Sequence, residues 1–228
     1  MAKTKYDYSG FRLSKLRDPR FSHFLLLLGW LGYFLMYFLT ENLIAVENCH
    51  PVHCSIDDMI PFCEWFVIPY VGWYFLIIFS LLWFAFYNVE NFKRLQIFII
   101  VTQIIATVVY IVYPTRQDLR PDTLPSDNLL AGLVGLLYSA DTNTGVCPSL
   151  HCAYSIGIAS MWLKERNASV LLKSFIVIFV VLVCLSTMFI KQHSAVDFFA
   201  SIPVCIVAEY ISCKGYYKKR FGKLRIKH

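Results

Sequence analysis

Six long apolar stretches constrain this chain more than any other feature. They cover roughly residues 21–43, 66–87, 95–113, 146–163, 171–190 and 195–213. Each approaches the roughly 20 residues that an α-helix needs to cross the hydrocarbon of a bilayer. Lipid offers no partner to an open backbone group, so helices are the expected form. Only 16% of the 228 residues are charged, while 57% are hydrophobic; a soluble domain carries about 25% charged residues. The sequence therefore predicts an all-α integral membrane protein with six transmembrane helices in one domain over residues 1–228. The fourth stretch is the least apolar. The sixth opens near Asp197, and Pro203 is expected to interrupt it.

Charge sets the expected orientation. Eighteen of the 21 Lys and Arg residues fall on one side of this arrangement. They lie in a basic arm at residues 1–20, in the second-to-third and fourth-to-fifth connections, and in a basic tail at 214–228. Cytoplasmic loops carry such an excess, so both termini are expected inside, in a multi-pass protein of the cell membrane. Anionic lipids of the inner leaflet attract basic arms of this kind, so membrane lipids rather than nucleic acid are the expected partners. The first apolar run is too long for a cleavable signal peptide, and no small-residue cleavage site follows it. The sequon Asn167-Ala168-Ser169 falls on the inner side and is read as accidental. Nothing in the sequence sets an oligomeric state.

The remaining three cations, Arg116, Arg120 and Lys191, share the outer side with the most polar motifs of the apolar region. Those motifs are Cys147-Pro148-Ser149-Leu150-His151 and Lys191-Gln192-His193-Ser194-Ala195-Val196-Asp197. Ionisable residues at a membrane boundary point to function by default, and three cations beside two histidines suggest an anion pocket. Pro148 suits the first turn of a helix. Ser149 and the amides after it, Leu150 among them, would then form an anion site at a helix N-terminus. His193 and Asp197 lie four apart and would share a face if the sixth helix begins near Lys191. The carboxylate then fixes the imidazole tautomer, which is triad logic with histidine as nucleophile. His151, from another helix, is the candidate acid for a leaving oxygen.

Other signals are weaker. Cys49 and Cys54 can form a disulfide in an oxidising compartment or remain as packed thiols. His50 and His53 lie between them, but no second ligand cluster supports a metal, and none is expected; nor is a cofactor. The run 129–138 is apolar yet too short to span, and it suits an interfacial helix capping the site. Five Trp and fourteen Tyr suit interfacial belts and core packing.

With these residues in view, the sequence resembles the type 2 phosphatidic acid phosphatase superfamily of integral membrane enzymes. Its motifs are Lys-x6-Arg-Pro, Pro-Ser-Gly-His and Ser-Arg-x5-His-x3-Asp. Arg120-Pro121 matches the end of the first; Pro148-Ser149-Leu150-His151 matches the second with Leu for Gly; Ser186, His193 and Asp197 match the third at its spacing. Tyr113 stands at the first-motif lysine and Thr187 at the third-motif arginine, and Arg116 and Lys191 are the expected replacements. Tyr113-Pro114-Thr115, the Pro-Ser-Leu-His form and the absent arginine look like the aureobasidin-type inositol phosphorylceramide synthase branch. The resemblance implies metal-independent phosphoryl transfer on a lipid phosphate. In it His193 attacks phosphorus, His151 serves the leaving and accepting oxygens, and Asp197 orients His193. Arg120, Ser149, Leu150, Lys191 and Arg116 would hold the phosphoryl oxygens. The leading expectation is a lipid phosphate phosphatase at the outer face. The alternative is a headgroup phosphotransferase with an alcohol acceptor; the lesser alternative is a non-enzymatic lipid carrier or scaffold.

Overall fold

The computed structural model describes residues 6–222. The basic residues Lys3, Lys5, Lys223, Arg225 and Lys227 lie outside the described residues. The helices are α1 (Leu28–Leu43), α2 (Ser55–Met59), α3 (Val67–Tyr87), α4 (Val89–Val112), α5 (Leu129–Ala140), α6 (Leu150–Lys164), α7 (Val170–Phe189) and α8 (Ala195–Gly222). Two-residue strands β1 (His50–Pro51) and β2 (Thr115–Arg116) pair in parallel, with His50 opposite Thr115. They tie the α1–α2 and α4–α5 connections together over one end of the bundle.

Among the described residues, five helices are long and apolar enough to cross a membrane, the pattern of a multi-pass membrane protein. Their outward faces carry Leu35 and Phe38 on α1, Phe75 on α3, Val108 on α4, Phe175 on α7 and Ile206 on α8, all exposed. Water would penalise such a surface, whereas lipid tails accept it.

The expected fourth span departs from this pattern. Helix α6 has 15 residues, about 22 Å at 1.5 Å per residue, against a hydrocarbon core of about 30 Å. Its late start has a local cause. The residue before a proline avoids helical geometry, and Ser149 caps the helix, its hydroxyl accepting from the Cys152 amide. Pro148 therefore stands just outside the helix rather than in its first turn.

The sixth run also differs from its reading. Helix α8 passes through Pro203 without a break and continues to Gly222, so the first part of the expected tail is helical. Helix α4 begins at Val89, six residues before its apolar run. Asn88 caps it by accepting from the Asn91 amide. Only short turns join α3 to α4 and α6 to α7.

The core lies where α4, α6, α7 and α8 meet, around Phe98, Ile99, Ile158, Met161 and Trp162. Gly157 allows α4 and α6 to approach: a Cβ there would stand 2.5 Å from the Phe98 ring. At the end remote from the histidines, polar pairs are buried or half-buried. Lys164 meets Glu209 at 2.5 Å, and Glu165 accepts from Asn88 at 2.5 Å and Asn91 at 3.3 Å. Helix α1 leans on α4, and a cavity opens between α1 and α3 towards the histidine end.

Candidate active site

The α7–α8 turn is wound by one carbonyl. Thr187 O accepts from the amides of both Gln192 and His193 at 2.9 Å. Lys191 adopts φ +54° within this turn, a left-handed conformation that costs a non-glycine residue roughly 1 kcal/mol or more. Its Nζ donates to the carbonyls of Asp57 at 3.0 Å and Ile60 at 2.5 Å, which tie the turn to α2.

Helix α8 begins at Ala195, so His193 precedes the helix instead of lying on it. The expected pair still forms. His193 Nδ1 and Asp197 Oδ2 are 3.1 Å apart, and the same oxygen accepts from the Ser194 amide at 2.9 Å. A carboxylate bonded to Nδ1 leaves Nε2 facing the cavity, which His193 lines. Burial alone would make the His193 imidazole harder to protonate, but the Asp197 hydrogen bond and charge outweigh it and raise its pKa above 6.5.

His151 opens α6, where the 147–149 segment is held from two sides. Tyr110 donates to the Pro148 carbonyl at 2.7 Å, and the Cys147 amide donates to Thr115 Oγ1 at 3.1 Å. The His151 ring stacks on Tyr70, lies 4.2 Å from Trp73, and is 5.7 Å from the His193 ring, centroid to centroid. Both histidines line one cavity of about 570 Å³, together with Leu150 and Gln192. Ser149 is fully buried behind it, its amide bonded to the Asp197 carbonyl at 3.1 Å. The Leu150 and His151 amides have no partner among the described residues, as first-turn amides do not within their own helix.

Of the three cations, the fold brings Arg120 alone to this group. Its guanidinium donates to the Tyr138, Asp141 and Thr142 carbonyls and to Gln192 Oε1 at 2.5 Å. It also lies over the Tyr138 ring. Burial lowers its pKa while Asp141 acts to raise it. Arg116, expected at the phosphate, instead pairs with Asp118 at 3.0 Å and donates to the Val46 and Cys49 carbonyls. Lys191 faces α2. Their placement on the histidine side matches the sequence reading, but reach and competing acceptors direct both groups away from the histidines.

Among the described residues, the buried polar atoms around the site without a protein partner include Arg120 Nε, His151 Nε2, Tyr154 Oη, Gln192 Nε2 and Asp197 Oδ1. Buried polar atoms are ordinarily bonded, so orphans on cavity-lining residues such as His151, Tyr154 and Gln192 mark where a ligand's polar atoms fit.

One residue of the site was not singled out from sequence. Asp57, buried on α2, accepts from the Ser194 hydroxyl at 2.6 Å, the Ala195 amide at 2.8 Å and the Cys54 amide at 2.9 Å. Burial would raise its carboxyl, yet these bonds hold it below the usual carboxylate range. Asp57 thus caps α8 from another element. Helix α5 lies against α3, and its Tyr138 donates to the Ile190 carbonyl at 2.6 Å, so the short apolar run helps close the site.

All eight cysteines are free thiols, Cys49 and Cys54 included. His50 stacks on Tyr113, and His53 meets Asp58 at 2.8 Å. Among the described residues no three His, Cys, Asp or Glu side chains converge as metal ligands. Comparison of the chain with family models, curated proteins and solved structures returns no match.

Proposed function

We propose that this protein is a membrane enzyme that moves a phosphoryl group from a lipid phosphate through a phosphohistidine on His193. The observation that carries the reading is the His193–Asp197 pair facing His151 across a cavity sunk in an apolar bundle. In this reading the chain crosses the membrane six times, with both termini cytoplasmic and the histidine end extracytoplasmic.

The roles follow from position. His193 Nε2 attacks phosphorus, and the P–O bond to the lipid alkoxide breaks. His151 stands across the cavity to deliver the proton that the leaving oxygen takes up. Water then gives a proton back to His151 and attacks phosphorus, the P–N bond breaks, and His193 returns to its starting state. Asp197 holds the tautomer throughout. Arg120 Nε and the free Leu150 and His151 amides are the donors for the phosphoryl oxygens, the kind of preorganised contact that dominates catalysis. A cavity of this volume also has room for an alcohol in place of water, which favours headgroup transfer as the second reading.

The test is phosphate release by the purified protein in detergent with excess EDTA, on phosphatidate, lysophosphatidate, phosphatidylglycerophosphate and undecaprenyl diphosphate. His193→Ala should lose at least about 10³-fold in turnover, as removal of a nucleophile does. Release that persists in the variant would overturn the reading. Release from none of the four would redirect the assay to phospholipid donors with alcohol acceptors.

A further inference from the structure

We propose that the cavity beside His193 holds a phosphodiester lipid whose headgroup ends in an ammonium group, with the aromatic wall around Asp141 as the ammonium subsite. The inference deepens the phosphohistidine reading and rests on it for the placement of phosphorus.

Charge is the first argument. A phosphate monoester brings close to two negative charges at neutral pH. Of the three cations at this end, Arg116 and Lys191 are bonded elsewhere. Arg120 retains only Nε free of protein acceptors. Asp141 adjoins it, offering its carbonyl to the guanidinium while its carboxylate lines the cavity, and a second carboxylate, Asp197, is bonded to His193. Such a site suits the single charge of a phosphodiester better than a dianion, and it has negative charge available for a cation on the same ligand.

The wall is the second argument. Asp141 lines the cavity at the end of α5, and so do Tyr33, Tyr37, Tyr70, Trp73 and Tyr74 from α1 and α3. Tyr37 donates to Asp141 Oδ1 at 3.0 Å, while Oδ2 has no partner among the described residues. Aromatic faces gathered around one carboxylate are the chemistry that recognises an alkylated ammonium. A bare phosphate or a sugar headgroup gains little from such faces. The wall is continuous with the reacting groups, because Tyr70 and Trp73 are the rings against His151. A short alkyl linker therefore spans phosphorus and subsite. On α1 and α3, Trp30, Phe34, Ile77 and Leu81 extend the cavity away from the histidine end, where a hydrocarbon tail fits.

The experiment measures quenching of tryptophan fluorescence in the full chain in maltoside detergent, since Trp30 and Trp73 line the cavity. Four ligands are titrated below their micelle thresholds. They are dodecylphosphocholine, its carbon isostere carrying a 3,3-dimethylbutyl group, dodecyl phosphate, and phosphocholine without a tail. Dodecylphosphocholine should bind at least about 10-fold more tightly than the isostere, consistent with a desolvated cation–π site. Asp141→Asn should shrink that ratio, and tailless phosphocholine should bind more weakly than the lipid. Equal binding of the isostere, or tighter binding of dodecyl phosphate, overturns the proposal without relying on any variant. Tailless phosphocholine binding as well as the lipid would overturn the lipid assignment. A parallel turnover assay with His193→Ala separates the two claims. Histidine-dependent turnover without the ammonium preference removes the subsite and leaves the phosphohistidine reading. The preference without turnover removes that reading and leaves a headgroup-binding cavity.

Discussion

Asp57 touches neither histidine ring, yet it fixes the segment that carries His193. Asp57→Asn should lower kcat by about 10–100-fold with little change in KM, because small displacements of a reacting group are costly. Ser194→Ala removes one of the same bonds and should show a smaller loss of the same kind. Equal loss of binding and turnover would show instead that the site has collapsed. The raised His193 pKa makes a second prediction at this scale. In the proposed mechanism His193 must be neutral to attack, so turnover should fall as pH drops through a value above 6.5, higher than for an unperturbed imidazole. The linked contribution to stability runs the other way. It is full below the unfolded value of 6.5 and is lost as pH rises through the higher folded value. Turnover against pH checks the first and thermal unfolding against pH the second. The His193–Asp197 pair was legible in the sequence because four residues of spacing keep partners together whether or not the helix has begun. Asp57 was not, because its bond to Ser194 joins positions 137 apart. The pattern of charge put Arg116 and Lys191 at the same end as the histidines, where the structure also has them, but nearby carbonyls and Asp118 decide where their side chains end.

Among the elements, apolar length predicted helices well and their ends poorly. Helix α3 covers nearly the same residues as its apolar run, and so does α7. The early start of α4 and the long reach of α8 lie in polar sequence, where caps and tertiary packing set the limits rather than hydropathy. Helix α8 also carries Pro203, a residue read as a break, through its interior. The contact of α4 with α6 yields a test. Gly157→Ala places a methyl against the buried Phe98 ring and should cost about 1–3 kcal/mol, as overpacking does. Thermal unfolding in detergent would show it, and Phe98→Leu in the same chain should recover part of the loss. If Gly157→Ala leaves unfolding unchanged, the two helices are not in the close contact described.

Across the whole molecule, orientation in the membrane is the property to measure. Met59, exposed beside the site, and Lys218, exposed near the far end of α8, lie at opposite ends of the bundle. In a chain whose native Cys54, Cys63 and Cys147 are replaced by Ser, a membrane-impermeant maleimide should label Met59→Cys in intact cells if the histidine end faces outward. Lys218→Cys should react only after permeabilisation. The reverse pattern would place the site on the cytoplasmic side.

The shortness of α6 has a consequence at this same scale. Its histidine packs against Tyr70 and Trp73, three and six residues along α3 from Val67, or about 5–9 Å by helical rise. The histidine pair is therefore countersunk below the rim of the bundle. That depth acts as a ruler. Under the proposed function, a lipid that presents its phosphate from within the bilayer meets the ruler without effort, whereas a soluble phosphate would reach the histidines only on a stem long enough to go down the shaft.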